Sequence, residues 1–161
     1  MATPALDHAI RLGIGDSQDL DDVMKVMDAA FGDTFGEAWT RSQCAGILPM
    51  AGVSLVLARE AENGAAIGFS LSRTVADESE LLLLAVVPDR RREGIGRRLL
   101  DDFMNRARAG GVARVHLEVR DGNPAVDMYR SAGFAPAGRR RNYYHGSDGK
   151  RFDALTLVHK L

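Results

Sequence analysis

The chain has 161 residues, a length that suits a single domain, here read as 1–161, with enough apolar content to bury a core without staples. Its formal net charge of −1 excludes bulk attraction to nucleic acid, and a lone cysteine, Cys44, excludes an internal disulfide. No apolar run approaches the ~18 residues of a membrane-spanning helix, and Met1 to His8 lack the basic start and long apolar stretch of a secretory signal, so a cytoplasmic protein is expected.

Ala9 to Gly13 alternates and predicts a short first strand. Asp16 and Ser17 offer an N-cap for a helix whose apolar positions Leu20, Val23, Met24, Met27 and Phe31 keep helical spacing. After a loop from Gly32 to Glu37, Thr40-x-x-Gln43 has the form of a capping box and opens a short helix toward Leu48. Val53 to Arg59 and Ala66 to Val75 read as paired strands joined by a turn at Glu62-Asn63-Gly64. Ser79 to Val87 is almost continuously apolar, which predicts a strand buried on both faces.

Pro88 stops that strand. A basic loop follows, then a helix with Ile95, Leu99, Leu100, Phe103, Met104 and Ala107 on one stripe and Gly110-Gly111 at its end. In the strand Ala113 to Val119, Val115, Leu117 and Val119 point one way, and Arg114, His116 and Glu118 the other. Pro124 suits the first turn of a helix running through Tyr129 to Gly133. Phe134 to Arg141 and Phe152 to Lys160 read as a final antiparallel pair, which completes a mixed α/β sheet with helices on its faces.

The loop Arg90-Arg91-Arg92-Glu93-Gly94-Ile95-Gly96-Arg97 carries the chemistry. It sits between strand and helix, so consecutive backbone N–H groups lie at a helix N-terminus with no intrahelical partner. The helix dipole adds partial positive charge there, which suits a phosphate or pyrophosphate. No Gly-Lys-Ser/Thr follows and the third glycine of a dinucleotide fingerprint is missing, so the loop is neither of those two phosphate motifs. The plain alternative is a tight turn with a solvated basic run.

The loop resembles the acetyl-CoA pyrophosphate loop of the GNAT acyltransferase superfamily, Gln/Arg-x-x-Gly-x-Gly/Ala, with Arg91, Gly94 and Gly96 at the fixed positions. Leu117-Glu118-Val119-Arg120, Asn123, Met128-Tyr129-Arg130-Ser131-Ala132-Gly133-Phe134 and Arg140-Arg141-Asn142-Tyr143-Tyr144 follow in that superfamily's order. The wording is most similar to the RimI-like branch, which acetylates the N-terminal alanine of a ribosomal protein. The resemblance is strong over residues 79–161 and weaker before. Two departures stand out: the step from Glu118 to Tyr129 is one residue shorter than usual in the branch, and His145 stands where proline is common.

The resemblance implies a GNAT fold, with a mostly antiparallel twisted sheet and a V-shaped acetyl-CoA cleft, and acetyl transfer to a primary amine within a ternary complex. It implies Glu118 as the base, directly or through water, and Tyr129 as the acid for the departing thiolate; His116, on the same strand face, is the alternative base. Backbone of Leu84, Ala85 and Val86 would pair with the pantetheine arm, and Val86 N–H would polarise the thioester carbonyl. Arg91, Arg92, Glu93, Gly94, Ile95, Gly96 and Arg97 would cradle the pyrophosphate, and Asn123 would touch the pantetheine. Glu37, Trp39, Tyr143 and Tyr144 are candidates for the acceptor pocket, with a core role open for Trp39. Acetyl-CoA is the expected co-substrate, and no metal is expected, because the four histidines lack ligand spacing.

A protein or peptide N-terminus is the expected acceptor, with no nucleic-acid or membrane partner and a monomer or homodimer as the working state. Two alternatives stay open: the same fold acetylating a small-molecule amine, and a non-catalytic acyl-CoA-binding module. Fold alone does not decide the acceptor.

Overall fold

The computed structural model describes residues 9–161; the signal-peptide reading of Met1 to His8 lies outside them. Among the described residues, seven strands form one sheet: β1 (Ile10–Gly15), β2 (Val53–Glu60), β3 (Ala66–Val75), β4 (Glu78–Val86), β5 (Arg114–Arg120), β6 (Ala135–His145) and β7 (Arg151–Lys160). Their spatial order is β1-β2-β3-β4-β5-β7-β6. Every neighbouring pair is antiparallel except β4 and β5.

Helices α1 (Leu20–Phe31) and α2 (Arg41–Ile47) bury Val23, Val26, Met27 and Cys44 against Leu55, Leu57, Phe69 and Leu71 on one face of the sheet. Helices α3 (Ile95–Ala109) and α4 (Ala125–Ser131) cover the other, with Leu100, Phe103, Met104 and Tyr129 on Leu81, Val115 and Leu117. The predicted stripe of α3 is the buried one throughout. Burial pushes the Cys44 thiol pKa up, in keeping with a packing residue rather than a nucleophile.

The caps form as the spacing predicts. Thr40 Oγ1 accepts from Gln43 N at 3.2 Å, and Gln43 Oε1 accepts from Thr40 N at 2.7 Å. Asp16 forms a capping box with Asp19 around a one-turn 3-10 helix, so α1 itself starts three residues later than its N-cap signal. Strand β6 runs on to His145, past the expected end at Arg141, because a bulge lets three residues, Arg141 to Tyr143, stand opposite Asp153. Asn142 in that bulge has φ +54°, and its N–H donates to Asp153 at 2.9 Å.

The apolar run in β4 has a different origin from the one expected. Residues alternate between fully buried and half-buried, and a bulge at Leu82 switches the face on which the buried ones lie. Leu81 packs under α3, while Leu83 and Ala85 pack under α1 and α2. A strand that changes its inward face mid-way reads as a continuous hydrophobic stretch although its pleat still alternates. At the same bulge β4 and β5 part: they pair only from Glu78–Leu81 with Arg114–Leu117. Beyond it the two strands diverge and open a V-shaped split.

Candidate active site

The basic loop lies at the mouth of this split. Gly94 is the residue before α3 and has φ +80°, a conformation that an L side chain strains. No side chain caps the helix there, so the first N–H groups of α3 point outward unoccupied by protein. The cations of the loop divide their work. Arg90 pairs with Glu60 and Glu93. Arg91 donates to Val86 O at 3.3 Å and to Ala30 O at 2.7 Å, tying the end of α1 to the end of β4. Arg97 is held by Asp101 at 2.9 Å and Ser131 at 3.2 Å. Arg92, at φ +65°, has no ion-pair partner among the described residues. The backbone N–H groups and Arg92 are thus left free of protein partners among the described residues, while Arg91 braces the loop.

Antiparallel alternation fixes which β4 groups face the split. Val87 N donates to Ile67 O at 2.9 Å, so Phe69 and Ala85, in the same register two residues on, are also a hydrogen-bonded pair. Leu84 and Val86 lie between and turn their backbone groups away from β3, toward the split. Ala85 presents its backbone to β3 and its buried side chain to the core, which removes it from the expected pantetheine contacts. The same rule on β5 turns the backbone of Glu118 and Arg120 toward the split, because Asp121 N and Leu161 N mark the residues bonded to β7.

Side chains converge on the split from three directions. Glu118 is 16% exposed, and its Oε1 is 2.8 Å from Arg140 Nε. Burial holds its carboxyl pKa above the ordinary value, opposed by Arg140 and His116 and helped by Glu80. His116 leans instead on Glu80, at 3.7 Å. Tyr129 comes from α4, almost wholly buried. Burial first, then the nearby Tyr144 and Glu37, hold its phenol well above its usual range, so it stays protonated at neutral pH. Tyr144 is raised for the same first reason.

The loop after α1 and the β6–β7 hairpin touch. Ser147 N donates to Asp33 O at 3.2 Å, and Phe35 meets Phe152 edge-on at 5.1 Å. A Cβ on Gly36 would fall 2.0 Å from His145 O, so only glycine admits this approach. Arg120 is the hub. Its guanidinium lies 3.6 Å from the Phe35 ring centre, and its Nε is 3.2 Å from Glu37 Oε1. That N–H does not aim at the carboxylate and is left buried without an acceptor, so the contact is an ion pair rather than a hydrogen bond. Glu37 Oε2 accepts from Asn123 Nδ2 at 2.8 Å, and Asn123 Oδ1 accepts from Ala125 N at 2.9 Å at the start of α4. Glu37 and Asn123, expected against acceptor and pantetheine, are thus partners of each other. Trp39 is half-buried against the α1–α2 core, and Tyr143 is 48% exposed on the bulge.

The acetyltransferase (GNAT) family model matches residues 20–134. The chain belongs to the GNAT acetyltransferase family. A crystal structure of the ribosomal-protein-S18-alanine N-acetyltransferase from Escherichia coli superposes with a TM-score of 0.83 at 30% identity, covering 94% of this chain and 93% of that one. In sequence, the [ribosomal protein bS18]-alanine N-acetyltransferase of E. coli K12 is 41% identical over 98 residues, 60% of this chain and 66% of that protein. The N-alpha-acetyltransferase RimI of Mycobacterium tuberculosis is 46% identical over 88 residues, 54% of this chain and 52% of that protein. The sequence matches thus span just under two thirds and about half of these relatives' lengths.

Within this GNAT fold, Leu84, Val86 and the Gly94 loop border the split, and Tyr144 lies near both Glu118 and Tyr129. Arg120, Phe35 and Phe152 drew no role from the sequence, and Arg140 stood there only within the Arg140–Tyr144 run, with no contact to Glu118 foreseen. Arg120 had a usable signal: it is two residues on from Glu118, with the same strand parity. Phe35 and Phe152 had none, since only tertiary contact with Arg120 marks them.

Proposed function

We propose that this chain, as one domain over 1–161, moves acetyl from acetyl-CoA to the free α-amino group of a protein N-terminus. The observation that carries this reading is that Glu118 and Tyr129 share Tyr144 as a neighbour beside a split strand pair whose mouth is an uncapped helix N-terminus. The bound acetyl-CoA supplies a thioester carbon open to attack by a neutral amine. The cradle fits its pyrophosphate: α3 presents N–H groups with no protein acceptor, and Gly94 leaves the space beside them empty. Leu84 and Val86 offer cleft-facing backbone to an extended pantetheine arm, in the way a strand edge pairs with an added strand.

Glu118 takes the proton from the acceptor ammonium; its raised pKa brings it closer to the working pH than an ordinary carboxylate. Val86 N–H faces the split and donates to the developing oxyanion. Tyr129 keeps its proton at Oη and releases it to the departing sulfur. The acceptor follows from chemistry and kinship together. An α-amino group has a pKa of about 7.7–8.0 against about 10.4 for lysine, so a carboxylate base has less work to do on a chain terminus. The named relatives act on protein N-termini, on alanine in the E. coli case.

Peptides beginning with Ala or Ser, tested beside N-blocked lysine-containing controls, polyamines and aminoglycosides by mass spectrometry, decide the acceptor. Acetylation of the free termini above all others is expected. Efficient acetylation of the small amines with no product on any free terminus refutes the proposal.

A further inference from the structure

We propose that Arg140 stands in for the acceptor amine: its guanidinium occupies the open side of Glu118 in the free enzyme and is exchanged for the acceptor's ammonium group on binding. This rests on the reading of Glu118 as the base. Three features of the hairpin support it. First, Arg140 reaches Glu118 from two strands away. The row across the sheet at Glu118 runs through Thr156 to Gly138, so no β6 side chain in that row blocks the carboxylate. Arg140, one pleat on, crosses this gap diagonally to bring Nε to 2.8 Å from Oε1. Second, the exposure is asymmetric. Glu118 is 16% exposed and Arg140 62%, so the arginine lies on the side from which a solvent-borne cation arrives. Third, Arg140 is lightly tethered. Among the described residues its other charged or aromatic contact is the Tyr143 ring at 5.6 Å, and Tyr143 sits on an exposed bulge. An ion pair with one partner this open is weak, so exchange for another cation on the same carboxylate is cheap.

The charged and titratable groups around Glu118 are Arg140 and Tyr144 from β6, Glu80 from β4 and His116 on its own strand. Of these, Arg140 is the strongest influence favouring the ionised carboxylate. Retained arginine and incoming ammonium would place two cations on one carboxyl group. Exchange leaves the charge around the base unchanged, and Glu118 stays oriented and ionised until the amine reaches it.

The test uses pH profiles of kcat/KM, which report the free enzyme, and of kcat, which report the bound complex. Wild type, Arg140→Gln, Arg140→Lys and Glu118→Gln are assayed with a synthetic peptide beginning with Ala. Arg140→Gln is expected to move the acid limb of kcat/KM to higher pH, with the acid limb of kcat in place, and Arg140→Lys to restore the wild-type position. Titration of ¹³C-carboxyl-labelled glutamate in the free protein reads the same shift without turnover. Equal movement of both limbs shows that Arg140 stays on Glu118 throughout and overturns the exchange. No movement of the kcat/KM limb, or movement of the kcat limb alone, overturns it as well. If Glu118→Gln keeps the wild-type acid limb, the base assignment fails and the proposal with it; if Glu118→Gln loses the limb, the base stands and only the Arg140 variants decide.

Discussion

Replacing Gly96 by Ala and Gly94 by Ala adds the same methyl group two residues apart, with opposite expected signs. At Gly96 the new Cβ meets Met128 Sδ at 3.6 Å and Val86 Cγ2 at 3.8 Å, ordinary packing distances, within the first turn of α3. The gain is the helix preference of alanine over glycine, roughly 0.5–1 kcal/mol. At Gly94 nothing stands within 4 Å, but φ is +80°. A side chain there costs about 1–2 kcal/mol in backbone strain. With a melting-temperature shift of about 2–4 °C per kcal/mol for a chain of this size, Gly96→Ala rises by ~1–4 °C and Gly94→Ala falls by ~2–8 °C. Scanning calorimetry without ligand reads both. Acetyl-CoA at ~100 times its Kd adds roughly 2.7 kcal/mol to the wild type. Gly96→Ala, which keeps the family's own alternative at that position, retains this increment. Gly94→Ala re-aims the N–H cradle, and a tenfold loss of affinity leaves roughly 1.4 kcal/mol at the same concentration. Shifts of the same sign in both variants, or an undiminished acetyl-CoA increment in Gly94→Ala, refute the helix-terminus account of the loop.

Glu118→Gln is expected to lower turnover by roughly 10²–10⁴-fold with acetyl-CoA affinity unchanged; full activity beside an inactive His116→Ala assigns the base to His116 instead. The same variant has a pH signature in stability. Because burial raises the folded carboxyl above its unfolded value, its contribution favours the fold below the unfolded pKa and is lost as pH rises through the folded one. Glu118→Gln should therefore gain on wild type in melting temperature as pH rises through that window, and a constant difference across it contradicts the burial argument. Tyr129→Phe is expected to lose rate in proportion to leaving-group basicity; an identical loss for thioesters of very different thiol pKa excludes a leaving-group role. Glu37→Ala leaves Arg120 buried without its counter-charge and is expected to cost about 3–5 kcal/mol, read by urea unfolding. A cost below about 1 kcal/mol means that Arg120 finds solvent or another acceptor.

The strand and helix order, the capping box at Thr40 and Gln43, the stripe of α3 and the parity of β5 were legible because each depends on residues within a few positions of one another. The loop from Arg91 to Gly96 was legible for the same reason: a strand end, two glycines and a helix start suffice to expose backbone N–H groups. Only the tertiary structure decided how the strands divide their surfaces. The Leu81–Leu84 run is one apolar stretch in sequence, but a bulge at Leu82 sends its residues to two different cores and parts β4 from β5. Only pairing with β3 separates Leu84 and Val86, which face the split, from Ala85, which does not. Arg120, Phe35, Glu37, Asn123 and Phe152 come from three separate stretches of chain. Their shared cluster depends on long-range contacts between an irregular loop and a hairpin, which no local periodicity encodes. Local spacing thus specified the uncapped loop at the start of α3, while packing between distant segments built the cluster around Arg120.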